Sequence, residues 1–335
     1  MPQLILKNIE KTITENLFMN NPVITIAILS HNHEKYIEKA ITSVLSQNTT
    51  FSYELLLFDD GSTDNTQNII NNYFLKFPEK IKTFCFKESK GPVFRAKQIY
   101  ENSKGKYVAW LDADDYWTYH SKLQIQIDFL EQNPNYSGCF HDAIVRTENL
   151  NNSEHSEQTI LQSLHKYRYY SQFNHYEEEF TPYMLIMRNI IPTASLVFRN
   201  SDFNDFLKNY NLQFYSFSWA FQLQIIKNGN FKYFNRCWSV YLDHSEGLSK
   251  KISSEKFTLN NIAILKYFKK ENFYKSYKNT INQSISKEYA CIVTNHNTNK
   301  IIFKYMIKFL WYYFVALCWN AVYYKFRFIK QLFIK

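Results

Sequence analysis

The chain has 335 residues, 45% of them hydrophobic, which is enough apolar material for one large domain or two ordinary ones and excludes a disordered or collagen-like protein. Lys and Arg total 39 against 30 Asp and Glu, a formal charge of +9. No acidic residue follows Glu288, whereas Lys300, Lys304, Lys308, Lys325, Arg327, Lys330 and Lys335 do, so the body is nearly neutral and the tail carries the excess.

Residues 1–21 mix Lys7, Glu10, Lys11 and Glu15 with isolated aliphatics and read as an N-terminal extension without the pattern of a secretory signal. Val23–Ser30 (VITIAILS) is a β-branched apolar run, as in a strand buried on both faces of a parallel sheet. A helix is expected next, capped by Asn32, with Ile37, Ile41, Val44 and Leu45 along one face. Tyr53–Phe58 predicts a second strand that runs into Asp59, Asp60 and Gly61, followed by Ser62 and Thr63 as helix starters. Ile81–Phe86 predicts a third strand, Gly91–Ser103 a helix, and Lys106–Leu111 a fourth strand that stops at Asp112. The helix over Ser121–Gln132 ends before Pro134, and Ser137–Val145 supplies a fifth strand. This alternation predicts a doubly wound α/β sheet. Residues 146–180, rich in Asn, Ser, Glu, His and Tyr, read as a mobile surface segment.

Sites in open α/β sheets form beyond the carboxyl ends of the strands. Here those ends are polar: Ser30, His31 and Asn32, then Asp59 and Asp60, then Glu88, then Asp112, Asp114 and Asp115. No Gly-rich dinucleotide turn and no Walker A loop is present, which also argues against a nucleotidyltransferase. Three carboxylates in the four residues 112–115 repel one another unless a cation sits among them. Oxygen ligands at D-x-D spacing suit Mn²⁺ or Mg²⁺, which complete their shells from water and substrate phosphates.

Three blocks, ILSHN at 28–32, FDDGSTD at 58–64 and YVAWLDADD at 107–115, carry a resemblance to the family 2 glycosyltransferases of the GT-A fold. The resemblance is strong over Val23–Val145 and continues more weakly to Ser249. It implies a GT-A domain over 22–250, with a nucleotide-sugar half at 22–145 and an acceptor half at 181–250, followed by a helical, basic and aromatic region at 251–335. Ser30 and Asn32 would line the nucleotide pocket, and Asp59 or Asp60 would accept a hydrogen bond from uracil. Arg95 and Lys90 would contact diphosphate or ribose. Asp112 would lie against ribose or metal, Asp114 would coordinate the metal, and His244 would meet the metal or the diphosphate. Asp64 reads as helix N-terminal charge. Asp115, Tyr116 and Trp117 could wall the donor sugar, with packing under the next helix as the simpler reading of Trp117.

The family's general base is an acidic residue before the tryptophan of the pattern in 218–249, and this chain has Ser218 before Trp219. Asp243 and Glu246, beside His244, are the nearest substitutes, with Asp202 and Asp205 farther off. The resemblance therefore implies a metal-dependent, inverting transferase that moves a sugar from a UDP-sugar to a glycan or lipid-linked glycan. The alternative is a catalytically silent nucleotide-sugar-binding or scaffold protein that has lost its base.

Residues 301–334 are saturated with aromatic and aliphatic side chains between basic residues. The uncharged run Phe309–Tyr324 spans 16 residues, short of the roughly 20 that cross a bilayer. An interfacial helix on anionic lipid is expected, with a buried C-terminal helix or an oligomer contact as the plainer reading. That expectation places the protein in the cytoplasm, peripheral on the inner face of the membrane. Nothing in the body resembles a nucleic-acid module, so no nucleic-acid partner is expected. Cys85, Cys139, Cys237, Cys291 and Cys318 are odd in number and widely spaced, which suggests neither disulfides nor zinc and fits a reducing cytosol.

Overall fold

The computed structural model describes residues 22–147, 168–169, 179–203, 218–247, 253–295 and 303–317. Residues 1–21, most of the segment 146–180, Asp205, the side chain of Asp202 and the tail past 317 lie outside the described residues, together with the expectations placed on them.

The first half builds strands and helices in turn: β1 (Ile24–Ser30), α1 (Ile37–Leu45), β2 (Tyr53–Asp60), α2 (Thr66–Lys76), β3 (Ile81–Phe86), α3 (Pro92–Asn102) and β4 (Tyr107–Asp112). Then come β5 (Tyr116–Trp117), α4 (Lys122–Gln132) and β6 (Tyr136–Thr147). The second half adds β7 (Arg168–Tyr169), β8 (Glu179–Phe180), α5 (Pro182–Met187), β9 (Val197–Arg199), α6 (Ser218–Ile225), β10 (Asn230–Asp243), α7 (Ser254–Phe268) and α8 (Lys278–Asn295). A last helix, α9, covers residues 303–317.

One mixed sheet runs β3-β2-β1-β4-β9-β6-β10-β5, parallel over its first four strands. The short β9 lies antiparallel between β4 and β6 and so joins the two halves. The central strands are unbroken apolar runs because helices cover both faces. Alternate residues supply each face. Ile24, Ile26, Ile28, Leu55 and Leu57 pack with Ile37, Ile41 and Val44 of α1 and Leu123, Ile127 and Leu130 of α4. Ala27, Leu56, Phe58, Val108 and Trp110 pack with Ile99 of α3, Phe221 and Leu223 of α6, and Leu265, Ile281 and Ile285 of α7 and α8. Each such fully buried side chain contributes roughly 1.5–3 kcal/mol. Trp110 stacks on Phe221 with ring centroids 4.3 Å apart, and the Tyr274 hydroxyl donates to the Leu223 carbonyl, so α7 and α8 close the same core.

The predicted strands and helices of the first half appear with small shifts at their ends, but the caps do not. Asn32 adopts φ 57, in the left-handed region, and does not cap α1, which starts at Ile37 after Tyr36. Its side-chain oxygen is occupied instead, accepting from the Thr63 backbone N–H at 2.8 Å. Ser62 likewise does not start α2, because its N–H and hydroxyl both bind the Asp59 carboxylate, and the helix begins at Thr66. Trp117 is buried, with its indole N–H donating to the Ala194 carbonyl at 2.7 Å, so it packs in the core. Among the described residues, no helix is long and apolar enough to cross a membrane.

Candidate active site

The parallel register aligns Ser30 with Asp59 and Leu29 with Asp112, so the carboxyl ends of β1, β2 and β4 bring Ser30, Asp59, Asp60 and Asp112 to one rim. The aliphatic runs end there because the chain leaves the sheet, and polar side chains take over the loops. Ser30 is buried, and its hydroxyl reaches the Phe58 carbonyl at 3.0 Å and Asp59 at 3.1 Å. Asp59 accepts four hydrogen bonds, from the Ser30 hydroxyl, both Ser62 donors and the Gln67 amide. A carboxylate offers about four acceptor positions, so Asp59 is fully engaged in shaping its own turn.

Asp60 holds the neighbouring loop. It accepts from the Ser89 hydroxyl at 2.7 Å, the Lys90 N–H at 2.8 Å and the Gly91 N–H at 3.3 Å, and Arg95 Nε stands 3.6 Å away. One of its oxygens, Oδ1, takes only the Lys90 bond and keeps acceptor capacity. Gly61 makes the close approach possible: it has φ +74, and a Cβ there would come within 2.7 Å of the Glu88 carbonyl carbon.

The acidic turn follows β4. The Ala113 N–H donates to the Leu29 carbonyl and the Asp115 N–H to the Asp112 carbonyl, both at 3.0 Å, which holds three carboxyls close together. Burial, aided by the Asp114 charge, raises Asp112 to about 7, with Arg95 opposing. Burial and the charges of Asp114 and Asp112 raise Asp115 well above the carboxylate range. Asp115 accepts from the Leu242 N–H at 3.1 Å and so ties the end of β10 to this turn.

Asp114 behaves differently. Burial works to raise it, but the hydrogen bond with His244 and the neighbouring His33 and His244 outweigh burial and hold it below its ordinary value. His244 Nε2 lies 3.0 Å from Asp114 Oδ2, and His33 Nε2 lies 3.8 Å from the same atom. Burial also lowers His33, and its Nε2 stands farther from Asp114 than that of His244, so His244 is the principal partner. The ring of Tyr36 packs on His244 with centroids 4.8 Å apart.

Two clefts open around this cluster. One, of ≈ 360 Å³, is lined by residues 31–36 with Thr63, Asp64 and Glu246. The other, of ≈ 230 Å³, is lined by Lys35, Tyr36, Lys39, Asp114, Tyr116, Arg146 and Leu242. Asn32 thus borders the first cleft, and Glu246 is exposed at its mouth. Asp243 ends β10 one residue past Leu242. Ser218, which the resemblance sets at the position of the family's usual base, begins α6 beside a narrow gap between Trp110, Phe198 and Phe221. Lys90 is exposed, with its ammonium 4.9 Å from the Phe94 ring centroid and its main chain on Asp60.

Sequence reasoning missed His33, Lys35, Tyr36, Lys39 and Arg146. His33 carried a readable signal, since it lies just past the end of β1. Arg146 carried none, because β6 reaches this cleft only through the sheet order.

Among the described residues, no group of three or more acid, imidazole or thiol side chains is arranged to hold a metal by itself. Asp114 and His244 nevertheless suit one. Bonds of about 2.1 Å at right angles separate neighbouring ligand atoms by about 3.0 Å, close to the observed Asp114–His244 spacing. Such an ion would complete its shell from phosphate oxygens and water.

The profile of the family described as glycosyl transferase family 2 matches residues 25–201. An uncharacterized protein of Mycobacterium tuberculosis is 27% identical over 225 residues, which cover 67% of this chain and 60% of that relative. The chain therefore spans less than two thirds of that relative's length. An uncharacterized glycosyltransferase of Haemophilus influenzae is 36% identical over 127 residues, 36% of this chain and 50% of its own. Among solved structures, S. aureus TarS in complex with UDP-GlcNAc aligns over 86% of this chain and 81% of its own, with a TM-score of 0.63 and 16% identity. A mannosyltransferase of Pyrobaculum calidifontis in complex with GDP-Man and Mn²⁺ aligns over 90% and 84%, with a TM-score of 0.54 and 12% identity. The fold shared with these two is the GT-A fold.

Proposed function

We propose, from the premise that this chain belongs to glycosyl transferase family 2, that it moves a sugar from a UDP-sugar to a hydroxyl of a glycan or lipid-linked glycan, with inversion and with a divalent ion. The observation that carries this reading is the Asp114–His244 pair, 3.0 Å apart at the edge of two clefts and beside a rim that presents Asp60, Arg95 and Asp112. The likeness to a UDP-GlcNAc complex supports a nucleotide-sugar donor.

In this reading Asp60 accepts the uracil N–H through Oδ1, while Asp59 and Ser30 fix the turn that presents it. A buried carboxylate that meets one specific donor discriminates strongly against bases lacking it. Arg95, half-buried beside Asp60 and Asp112, supplies a fixed positive charge for ribose or diphosphate. Asp114 and His244 would hold Mn²⁺ or Mg²⁺, with Asp112 within electrostatic reach. A bound divalent ion neutralises charge on the departing diphosphate. The acceptor hydroxyl gives its proton to a carboxylate as it attacks the anomeric carbon, and Asp243 and Glu246 are the two assigned to that task.

On α9, Phe303, Ile307, Trp311, Phe314 and Leu317 are exposed, with Lys304 and Lys308 on the same helix. That surface supports a peripheral position on anionic lipid at the inner membrane face. The test of the reaction is release of UDP from a panel of UDP-sugars with Mn²⁺ and with total surface glycan as acceptor. Acceptor-dependent release is expected. A bound donor that is never consumed would leave the silent scaffold as the function.

A further inference from the structure

We infer that the cleft over Asp114 and Tyr116 is the acceptor subsite and that the acceptor is an anionic glycan, one that carries phosphate or carboxylate groups. The inference rests on the transferase reading, which supplies the acceptor role, and it adds the chemical class. Three cations, Lys35, Lys39 and Arg146, line this cleft against one carboxylate, Asp114. They arrive from α1 and its leading turn and from β6, far apart in the chain, yet two of them meet on one ring. The Lys39 ammonium lies 3.6 Å from the Tyr116 ring centroid, and Arg146 Nη1 reaches the Tyr116 hydroxyl at 3.5 Å.

Like charges gathered at one concave surface repel each other, and the arrangement is favourable when an anion enters. Among the described residues, neither Lys35 nor Lys39 is ion-paired, and both are exposed, so they are available to such an anion. A neutral glycan would gain nothing from the excess. The donor diphosphate is the other anion at hand, but the lining contains none of Ser30, Asp59, Asp60, Arg95 or Asp112. It shares Lys35 and Tyr36 with the cleft that Asn32 borders and meets the acidic turn at Asp114, whereas Lys39 and Arg146 line this cleft and not that one.

Fluorescence anisotropy on the full chain tests this with labelled dextran oligomers of one length in neutral, phosphorylated and carboxymethylated forms. At least one anionic form is expected to bind about tenfold or more tightly than the neutral form, and the tighter of the two names the acidic group. Lys39→Glu, at a cation that lines this cleft and not the one Asn32 borders, is expected to weaken that binding about threefold or more, while UDP affinity stays unchanged. Lys304→Glu with Lys308→Glu on α9 serves as the control for the general positive charge and is expected to change neither. Equal binding of neutral and anionic forms would overturn the inference, as would a loss produced by the α9 pair and not by Lys39→Glu. A parallel loss of UDP affinity in Lys39→Glu would also overturn it, by placing this cation on the donor. Failure of the transferase reading shows separately, as anionic-glycan binding without any sugar transfer.

Discussion

Two groups of buried ionisable side chains lie a few residues apart along the chain and have opposite fates. At the rim, Asp112, Asp114 and Asp115 crowd together beside Arg95, His33 and His244, next to two clefts. In the core, Lys122 is fully buried, its ammonium 4.0 Å from the Trp117 ring centroid and without a hydrogen-bond partner. Burial lowers Lys122 to about 7, pushes Cys139 up to about 12 and holds His141 well below its usual range. Perturbation alone therefore does not mark a site. The rim group has polar partners and lies beside two clefts, whereas the Lys122 ammonium has no hydrogen-bond partner among the described residues, and we read its burial as a cost carried by the fold.

The largest effect that would sharpen this contrast concerns the proton acceptor. Asp243→Asn and Glu246→Gln are each to be compared with wild type in steady-state transfer. The variant that removes the base is expected to lose about 10²–10⁴ in kcat with thermal stability unchanged, and the other to stay near wild type. Wild-type rates in both would break the assignment.

The core group predicts the opposite pattern, a change in stability without a change in chemistry. Lys122 is depressed in the folded state, so the unfolded chain binds more protons between about pH 7 and the ordinary lysine value of 10.5, and stability rises with pH across that window. Below about pH 7 the penalty is fully present. Lys122→Met is expected to raise stability at neutral pH by an amount on the order of 4 kcal/mol and to flatten the pH dependence above 7, as read by denaturant melts. A destabilised variant would show that the ammonium has an essential partner.

Gly61→Ala tests the rim from its backbone side. The left-handed φ and the 2.7 Å approach to the Glu88 carbonyl carbon predict a loss of about 1–3 kcal/mol, with weaker UDP binding because the Asp60 loop shifts. The smallest effect is in the tail, where Lys304→Glu and Lys308→Glu are each expected to weaken sedimentation with phosphatidylserine vesicles by about 1 kcal/mol or somewhat more. Unchanged vesicle binding would remove α9 from the membrane contact.

The rim was legible in the sequence because each buried strand is a continuous apolar run, and the run stops where acids and a glycine begin, as at Phe58–Gly61 and Leu111–Asp112. The cleft cations were not legible. Lys39 reads as any exposed helix residue, and Arg146 joins it only because β10 lies between β6 and β5 in the sheet. Short strands such as β5 and β9 are too brief to show a period, so the link between halves was invisible. The burial of Lys122 was hidden for another reason: it begins the inward stripe of α4 with Leu123, Gln126, Ile127 and Leu130, and a charge at a helix start reads as solvated.

Calorimetric titration of UDP-GlcNAc into wild type and into Asp114→Ala, each with and without Mn²⁺, tests the central claim most directly. The account predicts that Mn²⁺ tightens binding at least about tenfold in wild type and leaves the variant unchanged. Equal metal dependence in both proteins, or none in wild type, would contradict it.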